Sequence, residues 1–429
     1  MMLAPFFLLF PVLQEETPPP EVPAPAEEET TEEIVEDPEE EADEEEEEEA
    51  EEESPYLAIV GGRVHTVTRG TLPRATVLCK NGRIMKIGSR VRVPEGARVI
   101  DAKGHHVYPG LVAVNSSGVV SGSGTGIRDS FDPFSINVDL ALAGGITTVQ
   151  AGNAVAKLTR GSLDGLLTAN GPWVTLSYTS TSPGGRRGLR ASLDKARDHM
   201  RAAREHELDP DPDKGDPPSD KEVDSNHLAL LRGEKTARFN ASGLKDLLAV
   251  CDVLEEYPMK SVVWGGQEAW ACAGRLGRTG TSLVISPRAK RQADSRLNRD
   301  SGWSIENAAI LHAAGIPVAI IPKRASIDRS GIAGRDLLAL AMEAAFAIRG
   351  GLPQKEALRA LTMDAAGILG VSDRVGSLET GKDADIIVCD GDLFDYRTFV
   401  QWAVVNGKVV YDKAKAPYFA HIRPRESQD

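Results

Sequence analysis

Apolar residues between positions 56 and 108 come in short runs that are separated by glycine turns, as in YLAIVGGRVHTV and ATVLCKNGRIMKIG. The pair Asn81-Gly82 between two such runs is typical of a two-residue β-hairpin. The same texture returns near the C terminus in FVQWAVVNGKVVYD, where Asn406-Gly407 predicts a second hairpin. The pattern therefore predicts a small β-sandwich domain that is built from both chain ends, residues 55–108 and 375–420.

The middle of the chain, residues 109–374, alternates short apolar runs with longer amphipathic segments. This alternation is typical of a parallel sheet with helical crossovers. Seven strands and a weaker one at 163–167 approach eight, which favours an α/β fold with a (β/α)8 TIM-like barrel over an open sheet. The seven are predicted at 110–114, 146–151, 173–177, 236–239, 261–264, 282–286 and 317–321.

The first 14 residues are almost wholly apolar and are too few for a membrane span, which is typical of a signal peptide. This pattern predicts export to the periplasm or the extracellular space, with no transmembrane anchor after cleavage. The segment has no Lys or Arg before its apolar run and no A-x-A cleavage site. An ordinary disordered start or a misassigned start codon therefore stays open as an alternative.

Residues 15–54 form an acidic low-complexity segment with 23 Asp or Glu residues and no Lys or Arg. Such a composition predicts a disordered tail, because it offers too little apolar surface to bury. The whole chain has 49 basic and 64 acidic side chains, so the rest carries 49 against 41. The body is thus mildly basic, and the tail is either simply solvated or docks on a basic face of the body.

Cysteine spacing and the placement of basic residues exclude two classes of site. Cys79, Cys251, Cys272 and Cys389 are far apart and form no C-x-x-C pair, so they are predicted to be small core residues. A disulfide between two of them stays open for an exported protein. Nucleic acid is not expected as a partner, because the basic residues are not interleaved with aromatic ones and the tail is acidic.

Several stretches resemble the amidohydrolase superfamily, and within it the imidazolonepropionase-like branch. The resemblance runs from Tyr56 to about Tyr411, and its most specific part is EALRALTMDAAGILGVSDRVGSLETGKDADIIVCDGD at 356–392. Shorter matches are PGLVAV at 109–114, GGITTVQAGNAV at 144–155 and VCDVLEEYPMKSVVWGGQEAW at 250–270. The resemblance implies a barrel that holds zinc or another divalent metal and hydrolyses non-peptide C–N bonds with a metal-activated water.

The positions that hold metal in that family carry other residue types here. The His-x-His after the first strand falls on Asn115 and Ser117, and the lysine of the fourth strand falls near Thr175. The later ligands fall on or near Asn240, Gly265 and Lys323. A slip of one residue does not restore a ligand, since the neighbours are Ser177, Trp264, Gly266 and Arg324.

The histidines do not lie where metal ligands would be expected, and one carboxylate lies near the last predicted strand. None of the eight histidines follows a predicted barrel strand, and they are expected to be surface or capping residues: His65, His105, His106, His199, His206, His227, His312 and His421. Asp328 is the one carboxylate near the last strand that could replace the catalytic one. The sequence therefore predicts no catalytic metal and no other cofactor.

The loop after the seventh strand is rich in basic residues and should overhang the same end of the barrel. Arg288, Lys290 and Arg291, together with Arg324, predict a basic rim that attracts an anionic ligand or the acidic tail. A solvated loop is the simpler interpretation.

Two functions follow from this pattern. The first is a non-catalytic binding or scaffold barrel, a pseudoenzyme. The second is an active hydrolase of cyclic amides in which Asp328 acts as the base and Lys323 or Asn240 polarises the carbonyl. The ligand and the oligomeric state are not determined by the sequence.

Overall fold

The computed structural model describes residues 54–120, 126, 131–152, 154–168, 171, 173–208, 218–329 and 334–416. The predictions of a signal peptide at 1–14 and of a disordered tail lie outside these residues, apart from Ser54. None of the helices in this described part is both long enough and apolar enough to span a bilayer.

Seventeen strands form within the described residues, and most are short. Their bounds are β1 Tyr56–His65, β2 Thr71–Lys80, β3 Arg83–Gly88, β4 Arg98–Asp101, β5 His106–Pro109, β6 Leu111–Ala113, β7 Ile146–Ala151, β8 Ala154–Lys157, β9 Leu166–Thr168, β10 Trp173–Leu176, β11 Thr236–Ala241, β12 Ser261–Gly265, β13 Ser282–Ile285, β14 Val318–Ile320, β15 Ile386–Cys389, β16 Val400–Val405 and β17 Lys408–Asp412.

The α-helices of the described residues lie between β6 and β15. Their bounds are α1 Ile136–Ala143, α2 Pro183–Leu208, α3 Ser225–Leu231, α4 Leu244–Glu256, α5 Ala273–Arg278, α6 Asn307–Ala313, α7 Leu340–Arg349, α8 Gln354–Leu361 and α9 Met363–Ile368. Short 3₁₀ turns at Asp220–Glu222, Ala269–Cys272 and Leu337–Ala339 precede α3, α5 and α7.

Both predicted hairpins form. Asn81 and Gly82 join β2 to β3, Asn406 and Gly407 join β16 to β17, and all four residues have positive φ values between 49° and 77°. Two successive positive φ values are the mark of a type I′ turn, which asparagine and glycine adopt at low cost. The two turns also touch, because a Cβ at Gly82 would lie 2.8 Å from the Asn406 carbonyl oxygen.

Strands from both chain ends pair in one sheet of eight strands, in the order β17-β16-β15-β5-β1-β2-β3 with β4 beside β1. The link between the two ends is the antiparallel pairing of β15 with β5. One buried cluster contains residues from both sides of this link, among them Ile59, Ile84 and Val404. Strands from both chain ends therefore share one hydrogen-bonded sheet and one core.

The middle of the chain forms two further sheets. Five parallel strands follow the order β10-β11-β12-β13-β14, and helices connect each strand to the next. The other sheet has the order β6-β7-β8-β9, in which β6 and β7 are parallel. The two sheets meet where Ser117 and Ser326 form an isolated parallel bridge.

The weak strand predicted at 163–167 forms as β9 and is parallel to β7, but an unpredicted strand, β8, lies between the two. The strand there, β9, runs antiparallel to β8, and β8 runs antiparallel to β7. Only two residues separate Ala151 at the end of β7 from Ala154 at the start of β8. A connection of two residues makes a hairpin, whereas a parallel crossover needs a dozen or more.

The four cysteines are buried and free, as predicted for small core residues. Burial raises the pKa of the Cys251 thiol to about 11 and of the Cys272 thiol to about 12. Both thiols are therefore protonated at neutral pH and behave as apolar groups.

Candidate functional site

Chemistry-bearing side chains gather on one face of the three neighbouring strands β10, β11 and β12. Phe239 and Ala241 of β11 belong to the large apolar cluster that contains the helices. Because side chains alternate along a strand, Arg238 and Asn240 point to the opposite face. Thr175 of β10 pairs with Arg238, and Asn240 pairs with Trp264 of β12. This face, which carries Thr175, Arg238, Asn240 and Trp264, is called the Arg238 face.

Arg238 lies between two tryptophans. Its guanidinium carbon is 3.8 Å from the ring centroid of Trp264 and 5.6 Å from that of Trp173. The two rings meet edge to face, at 72° with centroids 5.6 Å apart. Arginine stacks on tryptophan through the negative face of the ring, so both rings stabilise the cation in this position.

The charge of Arg238 is not balanced by the described part of the chain. Nε of Arg238 and Nε1 of Trp264 are both buried and lack a hydrogen-bond partner. Burial lowers the pKa of Arg238, and no carboxylate offsets this effect. Sequence reasoning missed this residue, although an arginine inside the predicted strand TARF at 236–239 was a signal for it.

Two of the predicted site residues lie on this face with Arg238, and a third lies beside it. Thr175 and Asn240 are exposed. Gly265 pairs with Ala241 and has a φ of 107°. A Cβ at Gly265 would lie 2.6 Å from Ser242 Oγ and 3.1 Å from the Ala241 carbonyl oxygen. A side chain at this position would therefore be strained both by the positive φ and by these contacts.

The remaining predicted residues form a second group, where the chain leaves β6 and β14. The Ser117 N–H donates to the Ala325 carbonyl at 2.9 Å, which brings Asn115 and Ser117 near the loop that carries Lys323. Ser117 and Lys323 are exposed, and Asn115 is half-buried. The buried member of Asn-Ser-Ser is Ser116, whose Oγ–H donates to the Gln150 carbonyl at 2.8 Å.

Most of the predicted basic rim is neutralised by carboxylates of the same chain. Arg288 donates to Glu343, which is buried, at 2.8 Å, and Arg324 donates to Asp328 at 2.7 Å. Arg291 lies 3.7 Å from Glu268. Lys290 has its ammonium 5.7 Å from the ring centroid of Trp303. The rim therefore presents much less free positive charge than its composition indicates.

Glu268 fixes the loop that carries the rim. Its buried carboxylate accepts hydrogen bonds from the backbone N–H groups of Leu244, at 2.8 Å, and Gly302, at 2.6 Å. Burial opposes ionisation, but these two bonds and the charges of Arg299 and Arg291 hold the pKa of Glu268 below its usual value. One carboxylate thus joins the start of α4 to the end of the 286–303 loop.

A cleft of about 260 Å³ opens beside Gly265, where β12 and β13 end. Its lining includes Gln267, Ser286, Trp303 and Asn307. The Oε1 atom of Gln267 and the Oδ1 atom of Asn307 are buried without a hydrogen-bond partner. The unpaired donors Arg238 Nε and Trp264 Nε1 thus lie on the Arg238 face, and the unpaired acceptors Gln267 Oε1 and Asn307 Oδ1 lie in this cleft.

The described residues contain no cluster of three His, Cys, Asp or Glu side chains that could hold a metal ion. Two histidines lie far from the strand ends: His65 and His106 stack on each other in the sheet of the chain ends. His199 was expected to be a surface or capping residue; it is not at the surface, because it is 8% exposed, and it bonds to Asp220 at 2.8 Å. His199 lies on the buried face of α2, with Leu193 and Ala196, and its ring bonds to the turn at Asp220–Glu222.

Comparisons with known proteins agree with this architecture. The model of the Amidohydrolase family matches residues 284–416. An imidazolonepropionase of Thermoplasma volcanium is 33% identical over 120 residues, which are 26% of this chain and 28% of that protein. The chain therefore matches little more than a quarter of the length of this curated relative.

Solved structures extend the likeness in fold over most of the chain. An amidohydrolase from Thermotoga maritima MSB8 has a TM-score of 0.63 at 24% identity, covering 83% of this chain and all of that one. Molinate hydrolase has a TM-score of 0.52 at 17% identity, covering 88% and 99%. The C-terminal part of this chain is thus similar in sequence to the Amidohydrolase family, and most of the chain is similar in fold to these solved structures.

Proposed function

We propose that the two central sheets are parts of one TIM-like barrel and that this barrel is a binding or scaffold protein, a pseudoenzyme without the metal site of its family. The observation that carries the proposal is the Arg238 face, on which an arginine without a carboxylate partner lies beside Thr175 and Asn240. A fixed positive charge at this place repels a divalent cation.

The residues present do not fit the zinc or other divalent ion that the family would hold. Protein zinc sites use histidine, cysteine and carboxylate ligands. The corresponding positions here are Asn115, Ser117, Thr175, Asn240, Gly265 and Lys323. The backbone at Gly265 would have to change before a ligand side chain could be placed there. We therefore derive no catalytic step through a metal.

Metal analysis of the purified full chain tests the proposal. The protein is incubated with zinc, manganese or iron, desalted and measured by mass spectrometry, and we expect well under one equivalent of each metal. Lactams, hydantoins and imidazolones are then tested for turnover with and without a chelator. One bound equivalent of metal together with chelator-sensitive turnover would sink the proposal.

The second candidate function is a hydrolase of cyclic amides that does not use a metal. It is favoured by the position of Asp328, which is half-buried shortly after β14 and held by Arg324. Asp328 would act as the base, and Lys323 or Asn240 would polarise the carbonyl. Turnover that survives chelation and is lost on Asp328→Asn, but not on the surface change Arg278→Met, would establish this function instead.

A further inference from the structure

We infer that the Arg238 face is a receptor for a carboxylate, with Arg238 as the anchoring cation and Trp264 Nε1 as a second donor. The inference rests on the proposed function only in placing the ligand at the same end of the barrel. The anion-binding site was predicted at the basic rim, and we place it on the Arg238 face instead.

The geometry of Arg238 leaves it able to bind a carboxylate. Stacking on Trp264, at 3.8 Å from the ring centroid, occupies a flat side of the guanidinium group. The N–H groups of arginine lie in the plane of the fork, so they stay free to donate to two oxygens at once. Nε, one of these donors, is buried and has no partner.

The neighbours of Arg238 favour an anion over a neutral or cationic ligand. Trp264 Nε1 is a buried donor without a partner, and tryptophan has no acceptor. Thr175 and Asn240 add an exposed hydroxyl and an exposed amide on the same face. Arg238 is half-buried and its charge is partly desolvated without a partner, and a bound carboxylate would offset that cost. The structure offers no comparable anion from its described residues.

Three of the four rim residues are poor alternatives as the anchor. Arg288, Arg291 and Arg324 already contact Glu343, Glu268 and Asp328 respectively. An added anion would have to displace a carboxylate from each of them. Arg238 has no such competitor, which makes it the more favourable cation for a ligand.

The experiment uses the five tryptophans of the full chain, whose indole N–H groups give resolvable NMR signals after ¹⁵N labelling. Benzoate is the probe, and benzamide is a neutral control of nearly the same shape. We expect benzoate to shift the indole signal of Trp264, assigned by its loss in Trp264→Phe, along a saturable curve. Benzamide should bind at least tenfold more weakly, because it lacks the charge that Arg238 recognises.

Substitutions at Arg238 and at a control arginine distinguish a specific role of Arg238 from an effect of the protein's net charge. Arg238→Met should weaken benzoate at least tenfold, and Arg238→Lys should give an intermediate affinity because it keeps the charge but loses the fork. Arg278→Met, an exposed arginine on α5, should bind like the unchanged protein. Thermal melts of each variant show whether it is folded, and Arg238→Lys still tests the idea if Arg238→Met does not fold.

Three results would overturn the inference: no saturable shift of the Trp264 signal, equal binding of benzoate and benzamide, or full affinity in both Arg238 variants. The proposed function would be refuted by different results. A metal-loaded, active protein with Arg238-dependent benzoate binding would refute the pseudoenzyme and keep the receptor. A metal-free, inactive protein that does not bind benzoate would keep the pseudoenzyme and refute the receptor.

Discussion

Lys157 Nζ lies 2.5 Å from Asp383 Oδ2, although 226 residues separate the two in the chain. The same ammonium contacts Asp385 at 3.0 Å and Asn406 at 2.6 Å, and the Lys157 side chain is 1% exposed. Lys157 ends β8 in the middle of the chain, whereas its partners belong to the sheet that the chain ends build. One buried ammonium thus joins the two regions.

Replacing Lys157 with Met should lower the free energy of unfolding by about 3–5 kcal/mol, because it leaves the buried carboxylate of Asp385 without its cation, whereas Asp383 keeps Arg374 at 2.7 Å. Burial already raises the pKa of Asp385, in spite of Lys157 and the Asn406 N–H. Without Lys157, the carboxyl can be buried neutral only at low pH, so the loss should be larger at pH 8 than at pH 5. Urea unfolding at both pH values measures it.

The matched control is Lys86→Met on β3, whose side chain is exposed and which should change stability by less than about 0.5 kcal/mol. Adding Asp385→Asn to Lys157→Met should recover part of the loss. A loss for Lys157→Met no greater than that of the control would show that the cluster does not stabilise the fold.

Gly265→Ala should destabilise the protein by about 1–3 kcal/mol, because the added Cβ would occupy a positive-φ position and meet Ser242 Oγ at 2.6 Å. Gly274→Ala is the matched control, since Gly274 lies in helix α5 with open space around its Cβ position. That change should stabilise by about 0.5–1 kcal/mol. Equal effects of the two changes, measured by thermal and urea unfolding, would refute the strain at Gly265.

Removing the carboxylate of Glu268 should release the 286–303 loop. Glu268→Ala leaves the N–H groups of Leu244 and Gly302 unpaired and Arg291 without its carboxylate, at a cost of about 2–4 kcal/mol. Trypsin should then cleave faster at the arginines of the loop, as followed by mass spectrometry.

Asp294→Ala serves as the comparison for Glu268, because Asp294 lies in the same loop and pairs with the exposed Arg296. An exposed pair of this kind contributes less than about 1 kcal/mol, so cleavage should change little. Cleavage as slow in Glu268→Ala as in the unchanged protein would mean that other contacts hold the loop.

The sheet of the chain ends should lose stability in acid through His65. Burial, and then the neighbouring His106, lower the pKa of His65 from 6.5 to about 4. Below pH 6.5 the unfolded chain therefore binds a proton that the folded chain does not, so stability falls between pH 6.5 and 4 by about 2–3 kcal/mol.

His65→Asn should flatten this part of the pH dependence, as measured by urea unfolding at several pH values. His206→Asn changes a histidine on the polar helix α2 and should leave the slope in place. The same slope in all three proteins would show that His65 does not cause the loss.

Features that depend only on residues adjacent in the sequence, such as turns and strand starts, were predicted correctly. Asn-Gly pairs accept two successive positive φ values, so both hairpins could be read directly from the sequence. The parallel strands β10 to β13 begin at their predicted residues because each begins a short run rich in apolar and β-branched or aromatic residues. Strand β8 was not predicted, although the short connection after Ala151 returns the chain as a hairpin.

The sequence by itself determined the turns and most of the apolar strands, since each depends on residue type at one place. Only the tertiary structure decided which charges are free. It paired Arg288 with Glu343, buried Lys157 against Asp383, and stacked Arg238 on Trp264 without a carboxylate. Such pairings depend on contacts between residues that are distant in the chain, and composition cannot report them.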